Sequence, residues 1–203
     1  ISNLWNNNYV NILDPKNREI KEMHALMSVL KPIATWYCVK AAREAREAMG
    51  GNGMSFLSGI PTTLNDTNVI VTWEGDNNVL LQQTAKFLVG GVSRVFKGEE
   101  VKYQSLKFLT VQPEQDFFPT GLTPAELVCP MVQKKLMAYR ACKAAVASAM
   151  ALQSKMGKLD QFDSWNETMP FNLFDASIYY GELYIFDTAL QNIQKCPDEA
   201  NKQ

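Results

Sequence analysis

Apolar residues recur every three or four positions along four stretches of this chain, and each stretch predicts a helix. Between Arg18 and Met49 the residues Leu26, Leu30, Ile33, Tyr37, Ala41, Ala45 and Ala48 line one face at helical spacing. Pro32 interrupts this run, where its missing N–H and its ring predict a local bend. Gly50-Gly51 closes it, as expected where the backbone must turn to positive φ after a helix. A second helix is expected from about Asp76 to Gly98, with the stripe Leu81, Ala85, Leu88, Val92 and Val95. The third opens at Thr123-Pro124, an N-cap followed by an N1 proline, and continues to Gly157 with a further kink at Pro130. Its buried face is expected at Val128, Val132, Leu136, Tyr139, Val146 and Ala149. The fourth, about Leu173 to Gln194, is apolar on most sides and is expected to be deeply buried. The β-branched run Val69-Ile70-Val71-Thr72-Trp73 has the composition of a short strand, but its brevity between two helices favours an extended connector. Long helices joined by segments rich in Gly, Pro and Asn predict an all-α bundle.

Composition narrows the function. With 46% hydrophobic and 20% charged residues among 203, the chain can fill a packed core. A net charge of −1 offers no global attraction for nucleic acid or an acidic membrane. No apolar run reaches the roughly 20 residues that span a bilayer; Ser177 to Ala189 is broken by Glu182 and Asp187. Cys38, Cys129, Cys142 and Cys196 lack any short metal-ligand spacing and read as reduced, buried thiols. The single histidine, His24, excludes a His-rich metal site and reads as a helix-packing or hydrogen-bonding residue, so no metal is expected. Met23, Met27, Met131, Met137 and Met150 read mostly as core filling. Ile1 is not an initiator Met and the last residues match no address signal, so the chain is expected to be a piece of something longer or a processed product.

Two segments are unusual for a plain bundle. Met49-Gly50-Gly51-Asn52-Gly53-Met54-Ser55 places three glycines in four positions directly after a helix. Such a loop lets a ligand approach the backbone and its N–H groups, or it simply ends the helix. Trp73-Glu74-Gly75-Asp76-Asn77-Asn78 puts a carboxylate before a glycine at the mouth of the second helix. Glu74 there either projects freely from a turn or, with Asp76, merely favours the positive end of the helix dipole.

Taken in order, these segments resemble the acyl-CoA dehydrogenase and oxidase superfamily, and more closely its peroxisomal acyl-CoA oxidase branch. The resemblance runs from His24-Ala25-Leu26 through Gly50-Gly51-Asn52-Gly53 and Asn65-Asp66. It continues through Trp73-Glu74-Gly75-Asp76-Asn77-Asn78-Val79-Leu80-Leu81-Gln82-Gln83-Thr84-Ala85-Lys86-Phe87-Leu88, where it is closest to the branched-chain (pristanoyl) type. It is strong over residues 18–90 and fainter from Thr123 to Cys196. Asn52 and Met54 depart from it, since oxidases usually carry His and an aromatic at these places.

The resemblance implies the helical bundle of the superfamily's C-terminal domains, with long antiparallel helices. Residues 1–98 would be the end of the flavin-side bundle, 99–122 a linker, and 123–203 the truncated start of the oxidase C-terminal domain. It implies that Glu74 is the catalytic base, removing the α-proton of a fatty acyl-CoA while the β-hydrogen leaves as hydride to FAD. Trp73 would exclude water from Glu74, and Gly75 would let the substrate lie close to the backbone. Gly50, Gly51, Gly53, Asp76 and Asn78 are the implied FAD contacts, with O₂ as electron acceptor. The implied partners are the family's N-terminal helical and β-barrel domains and a second copy in a homodimer. The implied setting is peroxisomal, with mitochondrial as the alternative. Two other readings stand beside this one: a scaffold subunit that kept the fold without the chemistry, and a dehydrogenase passing electrons to a carrier protein.

Overall fold

A computed structural model describes residues 18–110 and 122–196; both chain ends and the middle of the expected linker lie outside the described residues. Helix α1, Arg18–Ala48, continues through Pro32 as a single helix. Pro32 is fully buried. Gly50 has φ 57°, as its position after α1 requires. The chain then forms 3₁₀ turns at Gly50–Met54 and Phe56–Ser58, the short helix α2 at Ile60–Asn68, and a further 3₁₀ turn at Val69–Val71.

The extended connector expected at Val69–Trp73 is therefore a correction. The Thr72 and Trp73 N–H groups both donate to the Val69 carbonyl, at 3.0 and 3.2 Å, so the backbone satisfies itself locally and β-propensity loses. Helix α2 was not foreseen either. None of its residues is buried, so it carries no apolar stripe to betray it.

Helix α3 spans Asn77–Phe96, and Leu81, Ala85, Leu88 and Val92 are buried as their spacing predicts. The stretch after it is more than a linker. Gln104–Thr110 coils into a 3₁₀ turn that buries Leu106, Phe108 and Leu109, with Tyr103 just before it.

The expected third helix is two. Helix α4, Pro124–Leu127, has the capping box of Thr123 with Glu126. Hydrogen bonds from Thr123 hold the Glu126 carboxyl below its ordinary range. Helix α5, Pro130–Met156, starts afresh. Pro130 cannot donate into the preceding turn, and it pushes Cys129 to φ −64°, ψ 121°, which is extended. The buried face of α5 is also shifted. Ala141, Cys142, Ala145, Ser148 and Leu152 point inward, while Val128 is exposed. Small side chains let α5 approach α7 closely, so the larger stripe flanks the contact instead of filling it.

After α6, Gln161–Thr168, a π-turn at Met169–Leu173 leads into α7, Phe174–Gln194. Its buried residues end at Leu183, and Ile185 and Ile193 are exposed. The uniform burial expected for this helix therefore holds only for its first half, which alone meets the core. At Gly181 a side chain would meet Ile33 Cδ1 at 2.5 Å and Val29 Cγ2 at 2.6 Å, which is how tightly α7 crosses α1.

One core joins α1, α3, the Gln104–Thr110 turn, α5 and α7. Its centre is Tyr180, whose hydroxyl donates to Ser105 Oγ at 2.8 Å. The Ser105 N–H donates to the buried carboxylate of Glu22 at 2.6 Å. Burial pushes the Tyr180 phenol far above its usual range. No strand occurs among the described residues, in keeping with the all-α expectation.

Several smaller expectations are corrected. His24 is exposed. Among the cysteines, all free, only Cys142 is buried. Met27, Met131 and Met150 are each about half exposed, so the methionines fill the core less than their spacing indicates.

Candidate active site

The candidate residues lie at one end of the bundle, where the second half of α1 meets the start of α3. Asp76 caps α3, its Oδ1 accepting from the N–H groups of Asn78 at 2.9 Å and Val79 at 3.3 Å. A free helix start would leave those donors unpaired. We expect Asp76→Ala to cost about 1 kcal/mol of stability, measured by thermal unfolding of the complete polypeptide.

Just before this cap the backbone makes an abrupt turn. Glu74 has φ 56° and is the only non-glycine with positive φ among the described residues; Gly75 follows at φ 101°. A glutamate held there costs on the order of 1–3 kcal/mol, a strain that persists only where surrounding contacts enforce it. A Cβ on Gly75 would also sit 3.0 Å from Leu80 Cδ2, so no other residue fits beside Glu74 without strain.

The enforcing contacts come from α1. Lys31 Nζ donates to the Gly75 carbonyl and to Asn77 Oδ1, both at 2.8 Å. Asn77, 1% exposed, donates from Nδ2 to Thr35 Oγ1 at 2.9 Å, and Thr35 Oγ1 donates back to the Lys31 carbonyl at 2.8 Å. Lys31, Thr35 and Asn77 were absent from the sequence-based candidates. No sequence signal pairs them, because the bonded residues lie more than 40 positions apart.

The glycine loop packs beside the same half of α1, and its three glycines differ. A Cβ at Gly50 or Gly51 would meet nothing within 4 Å, so this side of the turn is open. At Gly53 a Cβ would stand 2.2 Å from the Arg46 carbonyl oxygen, so this glycine seats the loop against α1. Met54, at one of the departing positions, is exposed and its sulfur accepts from Arg46 Nη1 at 3.4 Å. Asn78 is exposed.

The dry setting expected for Glu74 is not formed by these residues. Glu74 is exposed, and Trp73, expected to shield it, is itself 58% exposed. The reason is geometric: the turn projects from the end of the bundle, and no described element lies over it. The same end exposes Phe56, Leu57 and Met54, at 76%, 99% and 64%. Among the described residues no three His, Cys, Asp or Glu side chains are placed to hold a metal ion. No described helix is long and apolar enough to cross a membrane.

Comparison with known families brings the two halves of the chain under one heading. The acyl-CoA oxidase C-alpha1 domain family matches residues 3–89, and the acyl-CoA oxidase family matches residues 129–203. The chain belongs to the acyl-CoA oxidase family. Rabbit (Oryctolagus cuniculus) peroxisomal acyl-coenzyme A oxidase 2 is 31% identical over 202 residues, covering 93% of this chain and 29% of the rabbit protein. Human (Homo sapiens) peroxisomal acyl-coenzyme A oxidase 3 is 43% identical over 70 residues, 34% of this chain and 10% of that protein. The crystal structure of acyl-CoA oxidase-1 from Caenorhabditis elegans, complexed with FAD and ATP, superposes with a TM-score of 0.85 at 22% identity. It covers 99% of this chain and 30% of that one. This last likeness establishes the fold. The acyl-CoA oxidase segment described here thus spans under a third of the length of these relatives.

Proposed function

We propose that this chain supplies the catalytic base and one edge of the flavin site of an FAD-dependent acyl-CoA oxidase. The complete protein would convert a fatty acyl-CoA to its trans-2-enoyl-CoA while O₂ becomes hydrogen peroxide. The observation that carries the reading is the strained, exposed turn at Glu74, a conformation more costly than a mere helix cap requires. In this role the Glu74 carboxylate takes the α-proton of the thioester. A thioester α-carbon is a weak acid, so the carboxylate must be freed of water by whatever closes over it. FAD, when bound, supplies the acceptor for the β-hydride and passes the two electrons to O₂.

The open side of Gly50 and Gly51 fits a large group lying against the loop, and Asn78 stands exposed beside the Glu74 turn. Gly53 and Asp76 would contribute indirectly, by seating the loop and capping α3. The apolar side chains exposed at this end, Trp73 and Leu57 among them, would be covered by the N-terminal helical and β-barrel domains and by a second copy. In this division residues 1–98 carry the flavin-side edge, and 123–203 begin the C-terminal domain. A peroxisomal setting follows the names of the rabbit and human relatives, which lend no support to the mitochondrial alternative.

Flavin absorbance and acyl-CoA-dependent peroxide release from the complete polypeptide test the proposal; a complete protein without flavin would defeat it. The exposure of Glu74 and Trp73 favours one competing reading, an independent scaffold subunit. Intact mass of the native protein separates the two: a mature species of about 23 kDa with no flavin-bearing partner supports the scaffold.

A further inference from the structure

Lysine side chains usually extend into water, and a half-buried lysine that spends its ammonium on neutral oxygens is uncommon. Lys31 is such a residue, next to the fully buried Pro32 in the middle of α1. Its ammonium donates twice to the α3 entrance, to the Gly75 carbonyl and to Asn77 Oδ1, each at 2.8 Å. Asn77 is in turn anchored to Thr35, and Thr35 to the Lys31 carbonyl. One turn of α1 and the entrance of α3 are therefore joined by a closed ring of bonds, two of them charge-assisted.

The ring grips the peptide group that follows Gly75, one residue beyond Glu74. On the other side of Glu74, the Trp73 N–H is held by the Val69 carbonyl at 3.2 Å. The left-handed Glu74 is thus restrained from both directions, and only the downstream restraint involves a side chain from another helix.

We infer that Lys31 is a positioning residue for Glu74: anchored with Asn77 and Thr35, it holds the Glu74-Gly75 turn in the left-handed form that presents the carboxylate to the acyl-CoA α-carbon. This rests on Glu74 being the base. Lys31 touches neither substrate nor flavin in this scheme. Loss of its ammonium frees the Gly75 carbonyl, and the turn relaxes away from positive φ. Small displacements of a proton-abstracting group lower turnover steeply while leaving substrate binding nearly intact.

The test uses the complete, flavin-loaded oxidase with Lys31→Met, Lys31→Arg and Glu74→Gln in parallel. Lys31→Met is expected to lower kcat by about tenfold to a hundredfold with KM within about twofold of the parent. The kinetic isotope effect with α-deuterated acyl-CoA should rise, because proton removal becomes the slower step. Lys31→Arg should restore most of kcat. Amide exchange should accelerate at residues 73–77 and stay unchanged in α5 and α7, whereas general destabilisation would accelerate it throughout. Turnover of Lys31→Met within twofold of the parent, beside an inactive Glu74→Gln, overturns the role of Lys31 and leaves the base in place. An active Glu74→Gln overturns both. Should Lys31→Met fail to fold, Thr35→Val decides: a several-fold lower kcat at constant KM supports the ring, and an unchanged kcat overturns it.

Discussion

Exchanging Glu74 for Gln in the complete oxidase should lower acyl-CoA-dependent peroxide formation by about a hundredfold to ten-thousandfold, the usual worth of a general base. The substitution isolates the carboxylate. Glutamine has the same length, and its backbone pays the same cost at φ 56°, so the turn at Gly75 and the cap at Asp76 are left as they are. Flavin content and acyl-CoA affinity should be unchanged, which places the loss in kcat. Stopped-flow reduction of the flavin under anaerobic acyl-CoA measures this directly. A Glu74→Gln protein that reduces its flavin at the parent rate would remove Glu74 from the chemistry. A second substitution there, Glu74→Gly, should be as inactive yet somewhat more stable, because it releases the backbone strain that glutamate bears.

The second large effect is expected at Gly53. An added methyl would stand 2.2 Å from the Arg46 carbonyl oxygen and 3.0 Å from its carbon, and backbone cannot step aside as a flexible side chain does. Gly53→Ala should therefore lift the loop from α1, at about 1–3 kcal/mol. The complete protein should also lose flavin on dilution, because Gly50 and Gly51 move with the loop. Gly51→Ala is the matched control. Its Cβ enters open space, so unfolding should stay within about 0.5 kcal/mol of the parent. Any flavin loss it causes then reports on the space itself, not on the fold. Equal stability of Gly53→Ala and Gly51→Ala in thermal unfolding would refute the packing role given to Gly53.

The two glycines illustrate how far the residues alone lead. Three glycines in four positions signal an unusual backbone, and Gly50 does take positive φ after α1. Nothing in their spacing tells which glycine faces outward and which is pressed against Arg46. The Glu74 turn divides in the same way. Glu74-Gly75-Asp76 is legible as a turn running into a helix cap, because both depend on residues one to three positions apart. The Lys31 ring is illegible, because it joins residues 42 to 46 positions apart and three common polar side chains carry no mark of pairing.

The helices repeat the lesson. Periodicity located α1, α3, α5 and α7, and proline and threonine marked where α4 begins. It missed α2, which buries nothing, and α6, whose buried residues Ser164 and Thr168 are polar, and it misjudged α5, where small residues face the core. An apolar stripe identifies the most hydrophobic face, while close helix contact selects the narrowest one.

By itself, then, the amino-acid order determined the all-α class, the capped entrance of α3 and the glycine turn after α1, since each arises from hydrogen bonds and sterics within a few residues. Only the tertiary structure decided that α1 clamps the Glu74 turn, that Gly53 is a packing residue, and that Trp73 and Glu74 stand at an uncovered end of the bundle. Those facts depend on which distant surfaces meet, and burial and long-range pairing are properties of the folded assembly rather than of any local stretch of chain.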